Sequence, residues 1–185
     1  LRAFLRQDPD IILVGETRDK ETAKIAVEAA LTGHLVFTTL HANDAPSTFM
    51  RLNEMGIEPF LVSTSIIGII SQRLVRRICP NCKEKYKPDN VIAKYLELPE
   101  DTELYKGKGC DTCNMSGYKG RVGVYEVLSV NESLRHFIGE GADTQTIRQE
   151  AIKGGMKSLK DYCLILLNEG LTTVDEVLRT VAIQS

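Results

Sequence analysis

Four of the five cysteines fall in two matched pairs, Cys79-Pro80-Asn81-Cys82 and Cys110-Asp111-Thr112-Cys113, with 27 residues between them. Two knuckles of this kind place four thiolates around one tetrahedral zinc ion and leave no position open for a substrate, which is the pattern of a structural site. Gly107, Gly109, Asn114 and Gly117 let backbone amides turn toward the sulfurs and stabilise their negative charge. The competing reading, a disulfide or a thioredoxin-like redox pair, needs one reactive pair rather than two matched ones. A knob built this way is expected to fold only with its metal. The fifth cysteine, Cys163, stands beside Tyr162, Leu164 and Leu166 in an apolar helix and reads as a small buried hydrophobe.

The knob interrupts a domain rather than ending one. Composition changes sharply at Cys79, a polar and lysine-rich insert separates the pairs, and Arg121 to Leu128 then alternates like a returning strand. The 185 residues are 43% apolar and 26% charged, enough for one core plus an appendage or a small second domain. A formal charge of -2 leaves no global positive field to draw nucleic acid or a membrane surface. The longest apolar stretch, Phe60 to Ile70, is broken by Ser63, Thr64 and Ser65 and falls short of the ~20 residues of a membrane helix. The sequence opens on Leu1, already like the inside of an element and without a signal peptide's order, so it reads as an excised fragment. Paired cysteines with metal-binding spacing fit a reducing cytoplasm.

Ile11 to Val14 is a short apolar run that reads as a buried parallel strand, with Glu16 just past its carboxyl end. Asp19 is a good N-cap for a helix over Lys20 to Thr32, whose inner face is Ala23, Ala26, Val27, Ala30 and Leu31, and Gly33 closes it. Leu35 to Leu40 is a second strand, and strand-helix-strand order implies a right-handed crossover within one parallel sheet. Two helices follow, one opened by Asn43 or Asp44 and ended by Gly56, the other buried over about Pro59 to Arg77. Four short helices are expected after Asn131: Asn131 caps the first, Asp143 or Thr144 the second, and Ser158 with Asp161 and Thr173 with Glu176 form capping boxes. The fold class is therefore α/β, with a core over 1–78 and 119–130, a knob over 79–118 and a helical subdomain over 131–185.

A site that hydrolyses a nucleoside triphosphate needs a carboxylate at the carboxyl end of a core strand, to hold a magnesium-bound water or polarise the attacking one. Glu16 occupies such a position, although many strands end in Glu simply as they reach solvent. In a parallel sheet His41 emerges on the same rim, with Thr38 and Thr39 just below, and is the candidate sensor of a terminal phosphate. His34 is seven residues back at the other end of the strand, roughly 23 Å away at 3.3 Å per residue, so the two histidines cannot share a metal. His34 reads as a capping residue or one that couples an interface.

These residues also carry a resemblance. Leu1 to Asp10 followed by Ile11-Ile12-Leu13-Val14-Gly15-Glu16-Thr17-Arg18-Asp19 resembles the atypical Walker B region of the type II secretion and type IV pilus motor ATPase family, in which a Glu ends the motif. Gly33-His34-Leu35-Val36-Phe37-Thr38-Thr39-Leu40-His41-Ala42-Asn43-Asp44-Ala45 resembles that family's His box, and Ser71-Gln72-Arg73-Leu74-Val75-Arg76-Arg77-Ile78-Cys79 the approach to its cysteine knob. The resemblance covers essentially the whole chain. It implies part of a RecA-like parallel sheet with flanking helices, a zinc knob on Cys79, Cys82, Cys110 and Cys113, and a helical tail. By the same resemblance Glu16 assists magnesium or water activation, His41 faces the nucleotide, and His34 joins them as the first His-box histidine. Cofactors would be structural Zn2+ and, in the full-length protein, ATP and Mg2+. Partners would be five further copies in a homohexamer and an inner-membrane platform protein, with no nucleic acid, and the location the cytoplasm, at the inner membrane through partners. Tetracysteine knobs mark the family's assembly and secretion branches rather than its pilus-retraction branch.

One departure stands out. The phosphate loop GxxxxGK[ST] occurs nowhere in these residues, nor does the family's acidic box, and both would lie upstream of Leu1. The chain alone is therefore expected neither to bind ATP tightly nor to hydrolyse it. Arg2, Arg6 and Arg18 are read as salt-bridge residues rather than catalytic ones. Two alternatives belong to other classes. One is a zinc-ribbon nucleic-acid module using Arg73, Arg76, Arg77, Lys83, Lys85 and Lys87, with the nearby acids Glu84, Asp89, Glu97, Glu100, Asp101 and Glu103 diluting that charge. The other is a docking module for a membrane-anchored platform protein.

Overall fold

The computed structural model describes Gln7, residues 9–99 and residues 101–182. Leu1 to Arg6, and with them Arg2 and Arg6, lie outside the described residues, as do Asp8 and Glu100. Strands β1 (Ile11–Val14) and β2 (Leu35–Thr38) pair in parallel, Ile11 opposite Leu35 and Val14 opposite Thr38. Helix α1 (Lys20–Leu31) connects them. It begins where the sequence reading puts it, because Asp19 is extended and its carboxylate accepts from the Thr22 N–H at 2.8 Å. It ends at Thr32, and Gly33 turns the chain at a φ of 103°, which a side chain would resist.

Two details differ from expectation. The buried face of α1 is Ala23, Ile25, Ala26, Val27 and Ala29, whereas Leu31 is exposed. Strand β1 buries Ile12 but leaves Ile11 and Leu13 61% and 77% exposed. Side chains alternate between the faces of a strand, and no described element covers the face that carries Ile11, Leu13 and Phe37.

Helix α2 (Ser47–Glu54) is followed by α3 (Pro59–Ser65) and strand β3 (Gly68–Ile78). The single helix expected over Pro59 to Arg77 therefore breaks at Ile66, whose backbone is already extended. The physical reason is the β-branched run Ile66, Ile67, Ile69 and Ile70, which packs better on a pleated surface than on a helix. Strand β6 (Tyr118–Ser129) contains the returning strand that the alternation over Arg121 to Leu128 predicts, and it pairs with β3, which the sequence reading places in a helix. Between them lie β4 (Lys83–Tyr86), α4 (Asn90–Tyr95) and β5 (Leu104–Gly107), with β4 and β5 antiparallel. Helices α5 (Glu132–Gly139), α6 (Thr144–Lys153), α7 (Leu159–Asn168) and α8 (Val174–Ala182) complete the chain. Asn131 and Asp143 cap the first two, and Ser158 with Asp161 forms a capping box on the third.

The chain divides into two compact units, one of residues 1–71 and 127–156, the other of 72–126 and 157–185. The first is centred on Val27, Phe49, Leu52, Val62, Leu134, Ile138 and Ile147. The second is centred on Val75, Leu96, Leu104, Val124, Leu159, Cys163, Leu167 and Val177, so Cys163 is the buried hydrophobe expected of it. These boundaries differ from those read in the sequence. Helices α5 and α6 carry Leu134, Ile138 and Ile147 into the first core, whereas α7 and α8 share the second with residues of the insert.

Candidate functional site

The carboxyl ends of β1 and β2 are tied by three hydrogen bonds. The N–H of Thr17 donates to the Thr39 carbonyl at 2.9 Å, Thr39 Oγ1 donates to the Gly15 carbonyl at 2.6 Å, and the hydroxyls of Thr17 and Thr38 meet at 2.8 Å. Glu16 and His41 thereby stand together on the rim, as the parallel pairing predicted, with Glu16 Oε1 2.7 Å from His41 Nε2. The contact is an ion pair only while the imidazole is protonated. The other carboxylate oxygen is 2.5 Å from the Arg18 guanidinium. The Arg18 hydrogen bond holds the Glu16 carboxyl below the usual carboxylate range; partial burial opposes this, and the charges of Arg18 and His41 add to it. Glu16 is thus an ionised carboxylate at a strand end, its side chain 25% exposed, while the His41 ring is 88% exposed and accessible to a ligand.

His34 is not part of this group. Its Nδ1 lies 3.0 Å from the Ala29 carbonyl and 3.2 Å from Thr32 Oγ1, which fixes it over the end of α1, at the start of β2 rather than at the rim. This placement is compatible with the capping reading, one of the two that the sequence leaves open. Arg18 does make a salt bridge, and its partner is Glu16 itself, a pairing that only the turn after β1 reveals. Sequence reasoning places Asp44 only as a candidate helix opener and misses its pairing with Arg148. Asp44 is buried just past His41 and paired with Arg148 of α6, and no local signal links residues so far apart.

The four cysteines converge in the second unit, with all four Sγ atoms within 4.8 Å of one another. Cys79 and Cys110, Cys82 and Cys113, and Cys110 and Cys113 are separated by 3.9, 3.8 and 3.7 Å between sulfurs. A tetrahedron with metal–sulfur bonds of ~2.3 Å has edges of ~3.8 Å, so the donor set fits a tetrahedral thiolate-bound metal ion. Backbone N–H groups of Gly109, Cys110 and Gly117 point at the sulfurs from 3.2 to 3.3 Å, as expected for knuckles that stabilise thiolates. Burial pushes the Cys82 thiol up to about 12. At Cys113 burial acts the same way but is outweighed by the N–H groups of Cys110 and Gly117 and by neighbouring thiols, and the value falls to about 6. Asn81 donates to Thr112 Oγ1 at 3.1 Å and joins the two knuckles directly.

Known proteins are similar to nearly the whole chain. The family model described as "Type II/IV secretion system protein" matches residues 1–179. The "Type IV pilus assembly ATPase PilB" of Thermus thermophilus is 53% identical over 96% of this chain, which covers 20% of that protein. The "Type II secretion system ATPase E" of Vibrio cholerae is 47% identical over 97% of the chain, which covers 36% of it. Among solved structures, the pilus retraction motor PilT with bound ADP superposes with a TM-score of 0.68 at 30% identity, covering 97% of this chain and 41% of that one. The chain thus spans about a fifth to a third of the length of these curated relatives. No described helix is long and apolar enough to cross a membrane. With the α/β architecture, the paired strand ends and the cysteine cluster in place, the chain belongs to the type II/IV secretion system protein family.

Proposed function

We propose that this chain is the carboxy-terminal part of the RecA-like ATPase core of a hexameric motor that drives type IV pilus assembly or type II protein secretion. The observation that carries the reading is the 2.7 Å approach of His41 to Glu16 at the carboxyl rim of two parallel strands. Glu16 would hold or polarise a magnesium-bound water, and His41 would face the terminal phosphate of ATP. His34, over the end of α1, would act at one remove, coupling nucleotide state to a subunit interface. Cys79, Cys82, Cys110 and Cys113 would hold a structural zinc ion that fixes the two knuckles and takes no part in hydrolysis. The motor would work in the cytoplasm, bound to an inner-membrane platform protein and not to nucleic acid. The curated relatives named as pilus-assembly and secretion ATPases support this assignment.

The test is ATP turnover by the full-length protein with and without Glu16→Gln. A fall in kcat of about 100-fold or more is expected, in line with the loss of a positioned general base, and unchanged turnover would overturn the reading. The present chain has no GxxxxGK[ST] loop, so by itself it should show no Glu16-dependent hydrolysis.

A further inference from the structure

Asp44 is only 3% exposed, and its polar atoms are engaged on every side. One carboxylate oxygen accepts from the Ser47 N–H at 2.9 Å and closes the turn that starts α2. The other accepts from the Arg148 guanidinium. The Asp44 carbonyl accepts from Ser47 Oγ at 3.0 Å and from Thr48 Oγ1 at 3.2 Å, and the Asp44 N–H donates to Ser47 Oγ at 3.2 Å. Arg148 projects from α6 with its side chain 22% exposed. The pair sits over a single cluster to which Ala45 and Phe49 contribute from one side and Ile147 and Ala151 from the other.

A buried ion pair resists displacement, because moving one member leaves the other charged and unpaired in a dry place. The segment that carries His41 is therefore pinned at both ends. At Thr39 it is tied to the end of β1, and at Asp44 it is tied to α6. A peptide of four residues between two fixed points has a narrow range of placements. Moving Asp44 by an ångström would move the imidazole relative to Glu16.

We propose that Arg148 is a positioning residue for the rim: through Asp44 it sets where His41 stands opposite Glu16. The inference rests on the proposed role of His41 only for its activity readout. Arg148 pairs with Asp44 and would act on the rim at a distance, through the loop.

The experiment is a double-mutant cycle on the full-length protein, with kcat and KM for ATP measured for Arg148→Met, His41→Ala and the double variant. Arg148→Met should lower kcat on the order of 10-fold while KM stays within about twofold, and Arg148→Lys should restore most of the loss. In the His41→Ala background Arg148→Met should add less than about twofold, because both changes act through one group. An equal loss in both backgrounds, or none in a folded Arg148→Met protein, would overturn the proposal. Should His41→Ala leave kcat unchanged, the assigned role of His41 fails instead. Positioning is then decided by hydrogen exchange of the peptide over residues 39–45 in the full-length protein. About tenfold faster exchange in Arg148→Met, reversed in Arg148→Lys, supports the proposal, and unchanged exchange refutes it. If Arg148→Met does not fold, Asp44→Asn, which keeps an acceptor for Ser47, and Arg148→Lys supply the same comparisons.

Discussion

Glu176 of α8 grips Arg76 of β3 by both backbone and side chain. One carboxylate oxygen accepts from the Arg76 N–H at 2.7 Å, and the other accepts from Arg76 Nε at 2.9 Å and lies 2.8 Å from Nη2. The guanidinium in turn stacks 4.0 Å over the Tyr118 ring, and the Tyr118 hydroxyl meets Thr173 Oγ1 at 2.9 Å. Thr172 Oγ1 donates to the Arg76 carbonyl at 2.9 Å, so both backbone polar groups of Arg76 are satisfied by the segment that opens α8. The end of β3, which leads directly into the first cysteine knuckle, is thus fastened to the last helix.

Removing that carboxylate should cost stability. In Glu176→Gln the amide keeps one acceptor oxygen, its NH2 group faces an Arg76 N–H that loses its hydrogen bond, and the Arg76 charge loses its carboxylate partner. A loss of roughly 1.5–3 kcal/mol is expected, at the lower end because the Arg76 side chain is 42% exposed and water can partly replace the lost contact. Urea or thermal unfolding followed at α7 and α8 would measure it, and a change within ±0.5 kcal/mol would show that the grip is ornamental.

The same carboxylate predicts a pH dependence. Burial alone would raise the Glu176 value, but the hydrogen bonds and charge of Arg76 outweigh it and the folded value lies below the ordinary one. A group with a depressed folded value contributes its full stabilisation above its unfolded value, about 4.3, and loses it as pH falls through the folded value. Stability should therefore be flat from neutrality to about pH 5 and fall below about pH 4. Glu176→Gln should have a shallower acid limb than the parent in urea midpoints measured from pH 3 to 7. Parallel limbs would place the acid sensitivity elsewhere.

What was legible in the sequence was local. Asp19, Asn131, Asp143 and the Ser158–Asp161 pair announce their helices because a cap acts within one turn, and the structure uses all four. The rim was legible for a similar reason, since parallel pairing of two adjacent strands leaves their carboxyl ends on one side. The break at Ile66 was not, because a short apolar run reads equally well as buried helix or buried strand. Glu176 shows the other limit. Its spacing from Thr173 fits a capping box, yet both its oxygens accept from Arg76, and a partner 100 residues away leaves no trace in the local pattern.

Loss of the thiolate set should unfold the knob without disturbing the rim. In Cys82→Ser the zinc proposed for the knob should fall from one per chain toward none. The amides of Gly109, Cys110 and Gly117, which donate to the sulfurs, should exchange at least about tenfold faster. Protection in β1 and β2, which belong to the other unit, should persist. Zinc analysis together with residue-resolved hydrogen exchange reads both effects, and unchanged protection at the three amides would show that metal is not what holds the knuckles.

Two glycines separate backbone strain from crowding at the knob. Gly117 and Gly120 have nearly the same positive φ, 76° and 79°, so an alanine at either should pay a left-handed cost of about 1–2 kcal/mol. They differ in what a Cβ would meet. At Gly120 nothing lies within 4 Å, whereas at Gly117 the Cβ would fall 2.5 Å from the Gly107 carbonyl oxygen, and a Cβ on Gly107 would fall 2.0 Å from the Gly117 oxygen. These two backbones approach closely where the second knuckle folds against β5, and Gly117 cannot yield without shifting its own amide, which donates to Cys113. Gly117→Ala should therefore exceed Gly120→Ala in destabilisation by a further ~1–3 kcal/mol, the usual cost of overpacking, and should weaken zinc retention in a competition with chelator, which Gly120→Ala should not. Equal losses for the two variants, with equal zinc retention, would mean that strain alone explains both glycines and that the close approach does not help to shape the metal site.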